Sequence, residues 1–161
     1  MPTDCAARVT ALRMLALRRL TEAQLWKKLE AKGYAREAIA EAICGCKRDG
    51  YLDDRLFATL YVEGPRKAVG DARLVAELVK RGIDRAEAQR AVSAAPSDQS
   101  ERIARAYDTL LKAQRDRSYQ SAARGLERLG FPTALIYRLL RERAGAAFAD
   151  LPGSDGAGSV S

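Results

Sequence analysis

The chain has 161 residues, 47% of them apolar and 30% charged, and its 28 Lys and Arg outnumber 21 Asp and Glu to leave a formal charge of +7. That balance excludes a disordered polyelectrolyte, and the longest uncharged apolar-rich run, Leu56 to Val62, is far short of the roughly 20 residues a membrane helix needs, so a soluble protein is expected. Histidine is absent, which removes the Ser-His-Asp and Cys-His nucleophile systems and the commonest ligand of zinc, copper and iron; neither an enzyme nor a cofactor or metal site is expected.

In chain order, the first predicted helix carries Ala11-Leu12-x-x-Leu15. Thr21 with Gln24 forms a Ser/Thr-x-x-Glu/Gln capping box that opens a second helix, on which Leu25 and Leu29 share a face. Gly33 sits where a left-handed residue ends that helix, and Tyr34 supplies the apolar contact that accompanies such an ending. A third helix, Arg36 to Arg48, buries Ile39 and Ile43 and closes at Gly50. Asp53 or Asp54 caps the next helix, in which Phe57, Ala58 and Tyr61 fit one face, although composition alone would also allow a strand over 56–62.

Gly70 or Asp71 opens a helix bearing Leu74 and Leu78 that ends at Gly82, and Asp84 with Glu87 caps one bearing Ala88 and Val92. Pro96 and Ser97 break the chain there. Beyond them come Ile103-Ala104-x-x-Tyr107, then Ser118 as a cap for Ala122 and Leu126, then Gly130-Phe131, and finally Pro132 in the first turn of a helix with Ile136 and Leu140. After Gly145 the Gly, Ser and Ala content is too apolar-poor to pack, which predicts a disordered tail.

These elements are one unit written three times. Adding 49 to Thr21, Leu25, Leu29, Gly33, Tyr34, Ile39 and Ile43 gives Gly70, Leu74, Leu78, Gly82, Ile83, Ala88 and Val92, and adding 97 gives Ser118, Ala122, Leu126, Gly130, Phe131, Ile136 and Leu140. The fold class is therefore all-α, a tandem array of three three-helix, helix-turn-helix-like repeats at 5–50, 51–95 and 97–145 with a tail over 146–161. Such arrays are elongated and curved, and their long faces bind other extended molecules.

Basic residues recur by slot. Arg18, Lys67 and Arg115 each stand three residues before a second helix, and Lys27 in the first unit matches Arg124 in the third, with Arg19, Lys28, Lys32, Arg66, Arg117 and Arg128 as local additions. Cations near a helix end complement its dipole, so a solvated face explains them as well as a track meeting phosphates or an acidic protein groove. A helix-turn-helix that reads DNA is the alternative, but Arg36 to Arg48 would present Glu37 and Glu41 to the groove and offers no Asn or Gln for adenine. Trp26, Tyr34, Tyr51, Tyr61 and Tyr107 read as core residues rather than base-stacking ones. Cys5, Cys44 and Cys46 cannot all pair, and with no secretory pattern in Met1 to Cys5 they read as reduced, buried or half-buried thiols of a cytoplasmic protein.

The stretch Gly50-Tyr51-Leu52-Asp53-Asp54-x-x-Phe57-Ala58-x-x-Tyr61-Val62, followed by Glu77-Leu78-x-x-Arg81-Gly82-Ile83, resembles the central signature of the RecX family of bacterial recombinase regulators, and the three-unit layout agrees over about residues 8–145. The resemblance implies a non-enzymatic modulator, most simply a monomer, that lodges in the groove of the RecA filament and inhibits its ATPase and strand exchange, with weak non-specific DNA binding as an accessory. On that reading Arg18, Lys67, Arg115, Lys27, Lys28, Arg66, Arg124 and Arg128 are the contact residues, and Asp53, Asp54, Phe57 and Tyr61 are motif residues that cap or contact. The segment Glu63 to Asp71 departs from the family pattern, placing Gly64 and Pro65 where a helix should be finishing, so that helix is expected to end early.

Overall fold

The computed structural model describes residues 4–64 and 68–149. Among them are nine α-helices and no strand: α1 (Asp4–Leu17), α2 (Glu22–Ala31), α3 (Arg36–Arg48), α4 (Asp54–Val62), α5 (Asp71–Lys80), α6 (Arg85–Ser93), α7 (Gln99–Ala113), α8 (Tyr119–Arg128) and α9 (Thr133–Ala149). They fall into three consecutive triplets, and in each the third helix packs on both of the others. Residues 56–62 are helical, and α4, at 9 residues against 14 in α1 and 15 in α7, stops at Val62 just ahead of Gly64.

Local chemistry fixes the helix ends. Thr21 and Gln24 form the reciprocal capping box, and Asp53, Asp84 and Ser118 each accept backbone N–H groups from the first turn of α4, α6 and α8. At the three equivalent glycines φ is +83°, +92° and +84°, a region only glycine enters without strain. The following amide reaches back to Leu29, Leu78 or Leu126 at 3.4, 3.1 and 3.3 Å, and the glycine amide bonds Glu30, Val79 or Glu127, so all three turns are Schellman endings.

Two expectations need correction. Pro132 precedes α9 and its carbonyl already accepts the Ile136 amide at 3.1 Å, so it stands at the cap rather than in the first turn. The last helix continues four residues past Gly145 to Ala149, because Ala146-Ala147-Phe148-Ala149 contains no breaker and alanine is the best helix former; the remainder of the predicted tail, 150–161, lies outside the described residues.

Repeats one and two form one compact unit, and repeat three together with residues 68–70 forms a second. In the first unit, Ala11, Leu20, Leu25, Leu29, Ile39, Ile43, Cys46 and Leu52 build the core of repeat one, while Ala58, Val62, Leu74, Leu78, Ile83, Ala88 and Val92 are buried in repeat two. In the second unit, Ile103, Ala106, Ala122, Leu126, Phe131, Ile136 and Leu140 form the core, with Ala68 packed against it.

Two contacts hold 68–70 to that unit. The guanidinium of Arg102, 2% exposed, donates to the Val69 carbonyl at 2.9 Å, and the Gly70 amide donates to Leu129 at 2.8 Å. A Cβ on Gly70 would lie 2.0 Å from the Gly130 carbonyl oxygen, so two backbones meet where no side chain fits. Gly70→Ala should therefore destabilise the second unit by about 1–3 kcal/mol, the usual range for overpacking. Urea denaturation checks this, and a midpoint equal to wild type would contradict the close approach.

Candidate partner-binding surface

The residues that stand out in sequence divide into those that hold helices together and those that face outward. In the Gly50 to Val62 stretch, Leu52 is buried in the core of repeat one, and the two adjacent aspartates cap different helices. Asp53 accepts the Leu56 amide of its own helix at 3.0 Å, whereas Asp54 accepts the Glu22 amide at the start of α2 at 2.8 Å. At the start of α2 the Thr21 amide is thus satisfied by the Gln24 side chain, the Gln24 amide by Thr21, and the Glu22 amide by Asp54 from the neighbouring repeat. The Thr21 hydroxyl, fully buried, also donates to the Arg81 carbonyl at 2.6 Å, tying the start of α2 to the residue that follows α5.

Electrostatics at this junction are opposed. Burial pushes the Asp54 carboxyl above its ordinary range; the Glu22 amide hydrogen bond pulls it down, the Glu22 charge pushes it up again, and Lys47 and Asp53 add smaller opposing effects. Lys47 bonds Glu22 at 2.8 Å, which raises the lysine.

Tyr61 turns inward as well. Its ring stacks beside Phe57 with centroids 6.2 Å apart, carries the Arg81 guanidinium 4.5 Å from its centroid, and its hydroxyl donates to Glu77 at 2.5 Å. Glu77 also accepts from Arg73 at 3.2 Å. The Glu77, Arg81 and Tyr61 positions of the signature are thereby a packed polar cluster joining α4 to α5.

The basic candidates face solvent. Arg18, Lys27, Arg115, Arg124 and Arg128 are exposed and Lys28 is half-buried. Of these, Arg18, Lys27, Lys28, Arg115 and Arg124 lie within 4 Å of no carboxylate among the described residues. On α8, Arg124 and Arg128 are one turn apart around a depression that Ser121 and Glu127 complete. In the first unit, Arg18 shares a cleft of about 390 Å³ with Arg19, Tyr51, Asp53 and Phe57, between the end of α1 and the turn from α3 to α4. Arg66 and Lys67 lie outside the described residues.

Sequence reasoning misplaced some side chains. Tyr51 is 62% exposed rather than core, because it follows the αL residue Gly50 and leaves the helix end sideways. Not singled out in the sequence, Leu17 at the end of α1 is 86% exposed, and Tyr119 and Tyr137 form an exposed stacked pair with centroids 6.1 Å apart. Of the cysteines only Cys46 is buried, which raises its thiol pKa; Cys5 and Cys44 are exposed. Among the described residues no three Cys, Asp or Glu side chains converge as metal ligands would, and no helix is long and apolar enough to cross a membrane.

Residues 7–44 match the family described as RecX, first three-helix domain. A regulatory protein RecX of Pseudomonas putida strain W619 is 30% identical over 147 residues, covering 89% of this chain and 94% of the relative, and one from Pseudomonas syringae pv. tomato strain DC3000 is 29% identical over 151 residues, covering 90% and 96%. A regulatory protein RecX of Caldanaerobacter subterraneus subsp. tengcongensis is 38% identical over 76 residues, which span 47% of this chain and 39% of that protein. The crystal structure of RecX from Lactobacillus salivarius superposes with a TM-score of 0.76 at 21% identity, covering 86% of this chain and 95% of the other, and shows that the fold is shared.

The half-buried Asp54 gives a pH signature. A carboxyl whose pKa is raised on folding binds more protons in the native than in the unfolded state, so its contribution to stability falls as pH rises from about 3.9 through the raised value. Asp54→Asn keeps the oxygen that accepts the Glu22 amide and removes the charge. Urea titrations should therefore show the variant gaining on wild type between about pH 4 and pH 7; a gap that moves the other way would show that the ionised carboxylate is favoured by its surroundings.

Proposed function

The chain belongs to the RecX family, and we propose that it is a non-enzymatic regulator that binds the RecA filament and inhibits RecA's ATPase and strand exchange, so modulating recombinational DNA repair in the bacterial cytoplasm. The observation that carries this reading beyond family membership is the set of outward cations, Arg18, Lys27, Lys28, Arg115 and Arg124, that no neighbouring carboxylate neutralises. Cations left unpaired on a protein surface attract an acidic surface or a phosphate backbone and accelerate encounter with it.

Lodged in the filament groove as a monomer, the chain would present these residues, with Arg128, Arg66 and Lys67, to the protomers and to the DNA they hold. DNA contributes weak, non-specific binding in this account. Base reading by α3 is disfavoured because Glu37 and Glu41 are exposed on the helix that would enter the major groove. In this reading Asp53, Asp54 and Tyr61 act by holding helices in place, and Phe57 lines the cleft beside Arg18.

RecA's DNA-dependent ATPase, titrated with this protein, should fall as the ratio approaches one to one, and absence of inhibition at excess would reject the assignment. Reversing charge at Lys27, Lys28 and Arg115 together should weaken inhibition by about tenfold or more while leaving the thermal midpoint unchanged, since all three side chains lie outside the core. Unchanged inhibition would show that those cations only solvate the surface.

A further inference from the structure

The cleft beside Arg18 combines two kinds of surface. Apolar side chains line part of it, Leu20 buried and Leu15 and Phe57 half-buried, and its rim carries the exposed guanidinium groups of Arg18 and Arg19. Neither arginine lies within 4 Å of a carboxylate among the described residues, and Asp53, which also lines the cleft, is committed to the Leu56 amide. Tyr51, 62% exposed, lines the same cleft, and Leu17, next to Arg18 in sequence, is 86% exposed; these are the most exposed large apolar side chains among the described residues. A single exposed leucine is ordinary. An exposed tyrosine beside two unpaired arginines around a partly apolar hollow is the composition of an interface anchor, a pocket for one side chain with aromatic and guanidinium groups at its edge.

We propose that this cleft seats a short acidic segment of the partner protein, with one apolar side chain on the floor against Phe57 and flanking carboxylates on Arg18 and Arg19. The proposal rests on the reading of the chain as a RecA regulator and names the chemistry of the filament segment that this part of the surface meets. A peptide can place its charges at the two arginines and nothing charged elsewhere. A nucleic acid strand carries a charge at every step, and it would have to pass Asp53 and the adjoining hollow lined by Glu22, Asp53 and Asp54, where only Lys47 offsets the repulsion.

Two measurements on the full chain with RecA filaments assembled on single-stranded DNA test this. With benzoylphenylalanine in place of Ala16, an exposed residue that lines the cleft, photocrosslinking should capture a RecA segment rich in Asp and Glu around an apolar residue. The double variant Arg18→Ala with Arg19→Ala, and separately Tyr51→Ala, should each lower filament affinity by about tenfold or more, with circular dichroism melts matching wild type. Crosslinks to DNA, or to a segment without carboxylates, would overturn the proposal, as would variant affinities within about twofold of wild type. If the unmodified chain fails to bind the filament at all, the regulator reading falls and this inference with it; binding by wild type that the variants leave intact sinks the inference alone.

Discussion

Free amides at the start of α2 are the constraint on which the first unit depends. A helix that begins inside a packed unit must find acceptors for amides that its own carbonyls cannot reach, and unpaired buried donors cost about as much as lost hydrogen bonds. Here the acceptors come partly from the next repeat: Asp54 from the first turn of α4 takes the Glu22 amide, while the Thr21 hydroxyl that caps Gln24 hands its own proton to Arg81 at the end of α5. Satisfying one helix end thereby fixes the register of two repeats. Close approach follows from it, since a Cβ on Gly82 would lie 2.3 Å from that of Ala23.

The same arrangement explains why the surface is basic where it is. Acidic side chains are drawn into structural work: Glu22 with Lys47, Asp49 with Arg8, Glu77 with Tyr61 and Arg73, Glu87 with Arg55 and Arg90. Asp53, Asp54 and Asp84 are occupied as caps. Arg18, Arg19, Lys27 and Lys28 are left over, so a modest formal excess of +7 becomes a local one on the helix ends and faces where those cations sit.

What the sequence made legible was local. The glycine slots, the capping box and the i, i+4 pairs act within a few residues, and Gly33, Thr21 and Leu25 behave as their spacing predicts. What stayed hidden depends on which neighbour a side chain meets. Asp53 and Asp54 look alike as adjacent candidates for one cap, yet Asp54 reaches 32 residues back to a helix that the spacing does not point to. Arg102 is not singled out by any pattern in the sequence, and only the path of residues 68–70 over repeat three makes it a buried donor to Val69. Tyr51 fits the aromatic pattern of a core, and the αL turn at Gly50 sends it outward. Of the proposed binding surface, the identity of the cations was readable; their lack of acidic partners and the hollow beside Arg18 were not, because both are properties of packing.

If caps crossing from repeat to repeat are what unite the first unit, its two repeats open as one. Native-state hydrogen exchange on the core amides of Leu25, Leu29 and Ile43 in repeat one and Leu74, Leu78 and Val92 in repeat two measures this directly, because amides released by the same opening report the same free energy. The account predicts one shared value across both sets. Two well-separated values, with repeat two exchanging while repeat one stays protected, would contradict it.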